Sequence, residues 1–250
     1  MRDGLDRGRR EPASSSCDRW LVLAVPTLTG SISSGVVRSI VDGIEALRNA
    51  GWRVSFWPWE RSAIIQHARN EIVASFLETT ATHLLMVDDD IEFNPTKLVR
   101  FVERPVDVVA GVYRGRGCNG PLLWRGPKTI RDLTEPRSRA RAILAASQST
   151  NGLVEAEAVG SGLLRVTRSC LERWSDAAPR YRYHGAECAD LFSVVIDGDG
   201  QMWTEDFTFC NRWRELGGKV WIDPEIETGH AYRELALCAL SEELEHARRS

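Results

Sequence analysis

Asp88, Asp89 and Asp90 stand in a row directly behind an apolar run, Leu84 to Val87, in the segment THLLMVDDDIEF. Adjacent carboxylates repel one another, so a chain that delivers three of them to one place needs positive charge to hold them there. A divalent cation is suited to that task, because hard cations take carboxylate oxygens and complete their shell with a substrate's phosphates. The plainer alternative is a polar turn that ends a buried strand. Two more carboxylates, Glu205 and Asp206, follow Thr204 at the head of a periodic apolar segment. They satisfy what a helix N-terminus prefers, and the same placement would aim a carboxylate from a rigid element at a hydroxyl that needs a base. His230 lies beside Gly229, which leaves room for close approach, and a lone His is as readily a structural residue as a ligand. Arg69 carries a planar guanidinium fit for bidentate contacts, either to a nucleotide or to the aspartates. Gly160, Ser161 and Gly162 either let backbone amides approach a ligand or mark a β-bulge.

The elements that must position these residues are legible in outline. Leu21 to Val25 reads as a buried strand stopped by Pro26, with Thr27 opening the loop TLTGSISSG. Val36, Val37, Ile40, Ile44 and Leu47 recur at helical spacing, Gly51 stops that helix, and RVSFW alternates as a strand. Ile65, Ile72 and Phe76 mark a helix that carries Ala68, Arg69 and Asn70 into the aspartate strand. Pro95 opens a short helix with Leu98, Val99 and Val102, and VDVVAGVY is a further strand. VGSGLLRV reads as a strand interrupted by glycines, and LFSVVIDGDGQMW as a strand running into a turn. Thr204 to Leu216 is a helix with Phe207, Cys210, Trp213 and Leu216 on one face, ended by Gly217 and Gly218. KVWI is expected to be the closing strand. The alternation predicts a single α/β domain over 20–232, Rossmann-like, with a mostly parallel central sheet flanked by helices and ligand at the carboxyl ends of the strands.

Two regions depart from that rhythm. Residues 114–152 are rich in Gly, Pro and Arg and are expected to form an excursion or lid. Between Arg114 and Arg141 seven arginines and one lysine face only Asp132 and Glu135, a local net of +6 beside Trp124. Arg125, Lys128 and Arg131 are therefore candidates to meet an anionic acceptor such as DNA, where basic residues neutralise phosphates. Beyond 233, Leu235, Leu237, Leu240 and Leu244 predict an amphipathic C-terminal helix over 233–250, and residues 1–19 are expected to be a disordered lead-in.

Composition narrows the class. Apolar content of 43% and charged content of 27% suit a globular enzyme, and a net charge of −3 implies no partner by itself. No apolar run approaches the roughly 20 residues of a membrane span, and the N-terminal segment lacks an apolar signal core. The six cysteines show no CxxC spacing, so neither a zinc site nor a disulfide framework is expected, and a reducing cytosol is the expected setting.

Taken together, Ala68-Arg69-Asn70, the Asp88-x-Asp90 strand end and the block TEDFTFCNRWRELGGKVWIDPEIETGH resemble glycosyltransferases of the GT-A fold, especially the family 2 group and its phage-associated relatives. The resemblance covers about residues 20–232 and is weak from 114 to 152. It implies a nucleotide diphosphate sugar as donor, a UDP-sugar first, and Mn(II) or Mg(II) as cofactor. It further implies Asp88 at the ribose, Asp90 on the metal with Asp88 and His230 completing the shell, and Asp206 as general base with Glu205 as the alternative. Pro26, Thr27, Asp89, Arg69 and the Gly160–Gly162 stretch then fall on the nucleotide-sugar side. Asp89 departs from the small residue usual at the middle position and is expected to be a solvated neighbour. An acceptor hydroxyl attacked directly, with inversion, is expected, since a base is present and no separate nucleophile stands out. Hydroxymethylated bases in phage DNA, glycans, lipids and proteins are all compatible acceptors. A sugar nucleotidyltransferase is the competing enzyme class, but it would carry basic residues in the loop after the first strand, where TLTGSISSG has none. A non-catalytic nucleotide-sugar or nucleic-acid binding module is the competing non-enzyme.

Overall fold

A computed structural model describes residues 19–60, 63–115, 122–183, 186–231 and 236–238. Strands β1 (Trp20–Pro26), β2 (Arg53–Trp59) and β3 (His83–Val87) run parallel, with β1 between the other two. Helices α1 (Ser34–Asn49) and α2 (Ile65–Leu77) connect them. Successive side chains of a strand point to opposite faces, and both faces of β1 are covered: Leu21, Leu23 and Val25 pack with α1, while Val22 and Ala24 pack with α2. Ser33 opens α1, its Oγ accepting the Val36 N–H at 3.3 Å, a cap worth about 1 kcal/mol.

After the acidic triplet, β4 (Ile91–Phe93) leaves the main sheet, and Asn94 caps α3 (Pro95–Val102) before β5 (Val108–Ala110) returns to it. The chain continues through β6 (Trp124–Arg125), α4 (Lys128–Arg131), α5 (Pro136–Ser149), β7 (Val154–Ala156) and β8 (Ala158–Val159). Strand β9 (Leu163–Thr167) leads into α6 (Arg168–Ala177), and two hairpins follow, β10 (Arg180–Tyr183) with β11 (Ala186–Ala189) and β12 (Val195–Ile196) with β13 (Met202–Trp203). Helix α7 (Glu205–Glu215), β14 (Val220–Ile222), β15 (Thr228–His230) and β16 (Ala236–Cys238) complete the order. The central sheet has seven strands in the order β2-β1-β3-β9-β5-β14-β7. All share one direction except β9 and β7, so the sheet is mostly parallel and flanked by helices.

Several expectations need adjusting. VGSGLLRV is two strands, β8 and β9, parted by the glycines, and β9 enters the middle of the sheet antiparallel to both neighbours. KVWI contributes β14, which pairs β5 and β7 and is internal rather than closing. Within the expected excursion or lid, residues 122–152 form β6, α4 and α5, and the two helices bury Ile130, Ala140 and Ile143 in the same core as the sheet. Their helical character was masked by arginines on the outer face. The C-terminal helix expected from 233 is overturned at 236–238, where β16 pairs antiparallel with β15. An edge strand offers unpaired backbone groups, and those of β15 are taken up by β16. The rest of 233–250, and the lead-in over 1–18, lie outside the described residues.

Candidate active site

The parallel strands end together, and Asp88–Asp90 emerge at that edge as a turn between β3 and β4. The turn is clamped residue by residue. Asp88 N–H donates to Gly162 O at 2.9 Å and Ile91 N–H to Asp88 O at 3.1 Å, while Ser33 N–H holds Asp89 O at 3.0 Å and Ala231 N–H holds Asp90 O at 2.7 Å. The three carboxylates are therefore displayed on a backbone fixed by three separate parts of the chain and by the turn's own closing bond.

Arg69 supplies the positive charge. It is 3% exposed, and its Nη2 donates to Asp88 Oδ1 at 2.7 Å while its Nη1 donates to Glu205 Oε1. Burial opposes the charge, but Asp88 and then Glu205 outweigh that and hold the guanidinium more firmly protonated than usual. Between a nucleotide and the aspartates, the two alternatives for Arg69, the geometry engages Asp88 and joins it to the catalytic-helix candidate Glu205. The next residue, Asn70, ties down a different segment: its Oδ1 accepts Leu191 N–H at 3.1 Å and Phe192 N–H at 2.9 Å, and its Nδ2 donates to Phe192 O at 3.2 Å.

At the head of α7 the cap works in an unexpected direction. Thr204 makes no side-chain cap; its hydroxyl donates to Asp206 Oδ1, which also accepts the Phe207 N–H at 2.8 Å. Asp206 thus carries the capping role at the second helical position. Burial raises its carboxyl above the usual aspartate value, with Glu205 adding to the shift against hydrogen bonds and Arg69 that lower it.

Ladder register brings His230 to Asp90: β15 pairs antiparallel with β4, setting His230 against Ile91. Its Nε2 lies 3.0 Å from Asp90 Oδ2 and its Nδ1 2.8 Å from Arg114 O. A carbonyl only accepts, so Nδ1 carries the proton, and neutral imidazole then points its Nε2 lone pair at a carboxylate. Two electron-rich atoms at that distance are held together by a proton or by a cation. Among the described residues no group of three or more His, Cys, Asp or Glu converges as a ready-made cage. Sites that substrate phosphates complete need only one or two carboxylates from the protein, so Asp90 fits such an ion, and the His230 imidazole beside it suits Mn(II) better than Mg(II), which takes oxygen.

The remaining candidates divide. Thr27 is buried, its N–H donating to Trp59 O at 3.0 Å and its hydroxyl to Ser31 O at 3.2 Å, so its polar groups close the loop after Pro26 rather than face a ligand. Gly160 N–H donates to Leu123 O at 2.9 Å and Gly162 N–H to Tyr113 Oη at 2.8 Å, which removes both amides from the donor-sugar role expected of them. Ser161 is 1% exposed, and its Oγ has no hydrogen-bond partner. Arg125 and Arg131 both pair with Glu157, at 2.8 and 2.5 Å, while Lys128 is exposed without an ion pair among the described residues. Arg125 nevertheless lies against the Trp203 ring, 5.3 Å from its centroid, just ahead of the Glu205–Asp206 helix.

Tyr113 is the residue that sequence reasoning missed. It is 4% exposed under the site, and burial first, then Asp88 and Asp206, push its hydroxyl well above the usual tyrosine value. The available signal was the Gly-Ser-Gly itself: a methyl added at Gly160 would lie 2.5 Å from Tyr113 Oη, and one at Gly162 2.7 Å from Tyr113 Cζ. Those glycines make room for an aromatic ring.

No family model matches the chain, and no curated protein does. Among solved structures the fold is similar to that of A197 from STIV, with a TM-score of 0.50 and 15% identity over 87% of this chain and 93% of that one. A slighter likeness, TM-score 0.33 at 12% identity over 61% of this chain and 62% of the other, is to a glycosyltransferase involved in the glycosylation of the major capsid of PBCV-1. UDP-glucose pyrophosphorylase complexed with UDP-glucose gives a TM-score of 0.42 at 9% identity over 92% of this chain and 97% of that one. At such identities the likeness is one of fold alone. No helix among the described residues is long and apolar enough to cross a membrane.

Proposed function

We propose that the chain is a divalent-cation-dependent glycosyltransferase that moves a sugar from a nucleotide diphosphate sugar, a UDP-sugar first, to an acceptor hydroxyl with inversion. The observation that carries this reading is the meeting, at one sheet edge, of the Asp90–His230 pair with Asp88, Glu205 and Asp206 gathered round Arg69. Asp90 and His230 would hold Mn(II) or Mg(II), whose charge would stabilise the departing diphosphate. Arg69 holds Asp88 and Glu205 in place, which leaves Asp206 as the base: Glu205 is already committed to the guanidinium. In the transfer, the acceptor oxygen bonds to the anomeric carbon as its proton passes to Asp206, and the bond from that carbon to the diphosphate breaks with its electrons leaving on the nucleoside diphosphate. The raised Asp206 carboxyl suits a base better than an ordinary surface aspartate would.

The acceptor side is proposed to run from Trp203 and Arg125 towards Lys128 and Arg131, with a polyanion such as hydroxymethylated DNA as the trial acceptor. A sugar nucleotidyltransferase is disfavoured, because the loop over 27–33 holds no basic residue and is used to clamp Asp89. A screen of UDP-, GDP- and dTDP-sugars with Mn(II) tests the proposal. Metal-dependent release of a nucleoside diphosphate, abolished by EDTA, is expected; formation of a nucleoside triphosphate when pyrophosphate is added would favour the rival class instead.

A further inference from the structure

Two halves of the cation site come from distant parts of the chain, Asp88–Asp90 after β3 and His230 at the end of β15, and one side chain touches the supports of both. Tyr113 Oη accepts the Gly162 N–H at 2.8 Å, and Gly162 O in turn accepts the Asp88 N–H at 2.9 Å. On its other side the Tyr113 ring meets His230 edge to face, centroids 6.0 Å apart at 88°, and the carbonyl of the next residue, Arg114, fixes His230 Nδ1 at 2.8 Å. The Tyr113 carbonyl accepts the Leu123 N–H at 2.8 Å, so the residue is anchored by its backbone as well. A methyl at Gly160 would meet Tyr113 Oη at 2.5 Å and Cζ at 3.0 Å, so the glycine pair is shaped around the phenol.

We propose that Tyr113 is a positioning residue that sets the distance between the Asp88–Asp90 turn and His230, and through it the affinity and geometry of the cation site. The inference rests on the reading of Asp90 and His230 as cation ligands. Without the hydroxyl, Gly162 loses its anchor and the turn that hangs from Gly162 O gains freedom; the ring alone still fills the space. A bulky filler would not need the hydroxyl, whereas a positioning group does.

The test titrates Mn(II) into the whole protein with UDP present, following the Mn(II) electron paramagnetic resonance spectrum and, separately, thermal unfolding. Tyr113→Phe is expected to stay folded, to bind Mn(II) at least ten-fold more weakly and to give a spectrum altered from wild type. Gly160→Ala, which presses on the hydroxyl, should weaken Mn(II) binding in the same direction. The double variant Gly160→Ala/Tyr113→Phe should lose less affinity than the two single losses combined, since the 2.5 Å contact with the hydroxyl is gone and only those with Cζ at 3.0 Å and Leu123 Cβ at 3.2 Å remain. Wild-type affinity and spectrum in Tyr113→Phe, even with a lowered unfolding temperature, would overturn the proposal while leaving the cation reading intact. Absence of any Mn(II) binding by the wild type would overturn both. Should Tyr113→Phe fail to fold, unchanged Mn(II) affinity in Gly160→Ala overturns the proposal by itself.

Discussion

Arg69 decides the electrostatics of the site, because a buried guanidinium between Asp88 and Glu205 is stable only while both carboxylates are present. Arg69→Met should cost about 3 kcal/mol in denaturant unfolding, the usual scale for breaking a buried pair and leaving its partners uncompensated. An effect below about 1 kcal/mol would mean that the carboxylates find water instead. Asp206→Asn is expected to lower turnover by about two to four orders of magnitude with little change in nucleotide binding, as a general base acts in the chemical step. Asn caps helices as well as Asp, so the fold should survive. The pH profile adds a check: a base works unprotonated and burial raises Asp206, so the acid limb of kcat/KM should lie above the ordinary aspartate range. The stability linkage has the opposite sign. The folded state holds this proton more tightly, so the contribution of Asp206 favours folding at low pH and is lost as pH rises from the ordinary aspartate value of 3.8 through its raised folded value. At this scale the sequence displayed the carboxylates, Arg69 and His230, since each has few reasons to stand where it does. It did not display which atoms the fold engages: the Thr27 hydroxyl and the Gly160 and Gly162 amides all make hydrogen bonds within the protein.

Elements bring these residues together through latches rather than through surface alone. Asn70 holds the segment after β11 against α2, and from there Phe192 stacks on Phe209 of α7, centroids 4.6 Å apart. Asn70→Ala would orphan the Phe192 N–H, while the Leu191 N–H keeps its bond to Ala189 O at 3.0 Å, so a loss of about 1–3 kcal/mol, the scale for one buried unsatisfied group, is expected in urea unfolding. The stop of α7 is equally local: Gly217 takes φ of +82°, where a side chain would be strained, and Gly218 lies where a methyl would come within 2.0 Å of the Trp213 ring. The strand–helix rhythm as far as β5 and helix α7 were legible, because their apolar spacing is set by burial on known faces. Strand β9 was harder, since an antiparallel insertion has the same apolar pattern as a parallel strand and carries Arg165, fully buried and donating to the carbonyls of Arg104 and Val106 at 2.7 and 2.5 Å. Helix α6 went unread for a related reason: its buried Cys170, Leu171 and Trp174 are too few to announce a period among charged neighbours.

For the whole molecule, the sheet's common edge gathers β1, β3, β5 and β14 ends with the head of α7, and the local charge of the basic segment is moderated by Glu157. Replacing Arg125, Lys128 and Arg131 by alanine should raise the apparent acceptor constant for a polyanion without altering donor affinity, and added salt should mimic it. Plain and hydroxymethylated DNA as trial acceptors decide that point: transfer to neither, with no salt dependence, removes DNA from consideration. The overall architecture was legible because alternation of strands and helices leaves few topologies, whereas the acceptor was not, because surface charge says what is attracted and not what reacts. The central claim concerns the cation. Calorimetric titration of UDP into the protein in Mn(II) and again in EDTA, with wild type and Asp90→Asn side by side, tests it most directly. The account predicts binding of UDP by wild type in Mn(II), strongly weakened both by EDTA and by Asp90→Asn; equal UDP affinity in all of these conditions would contradict it.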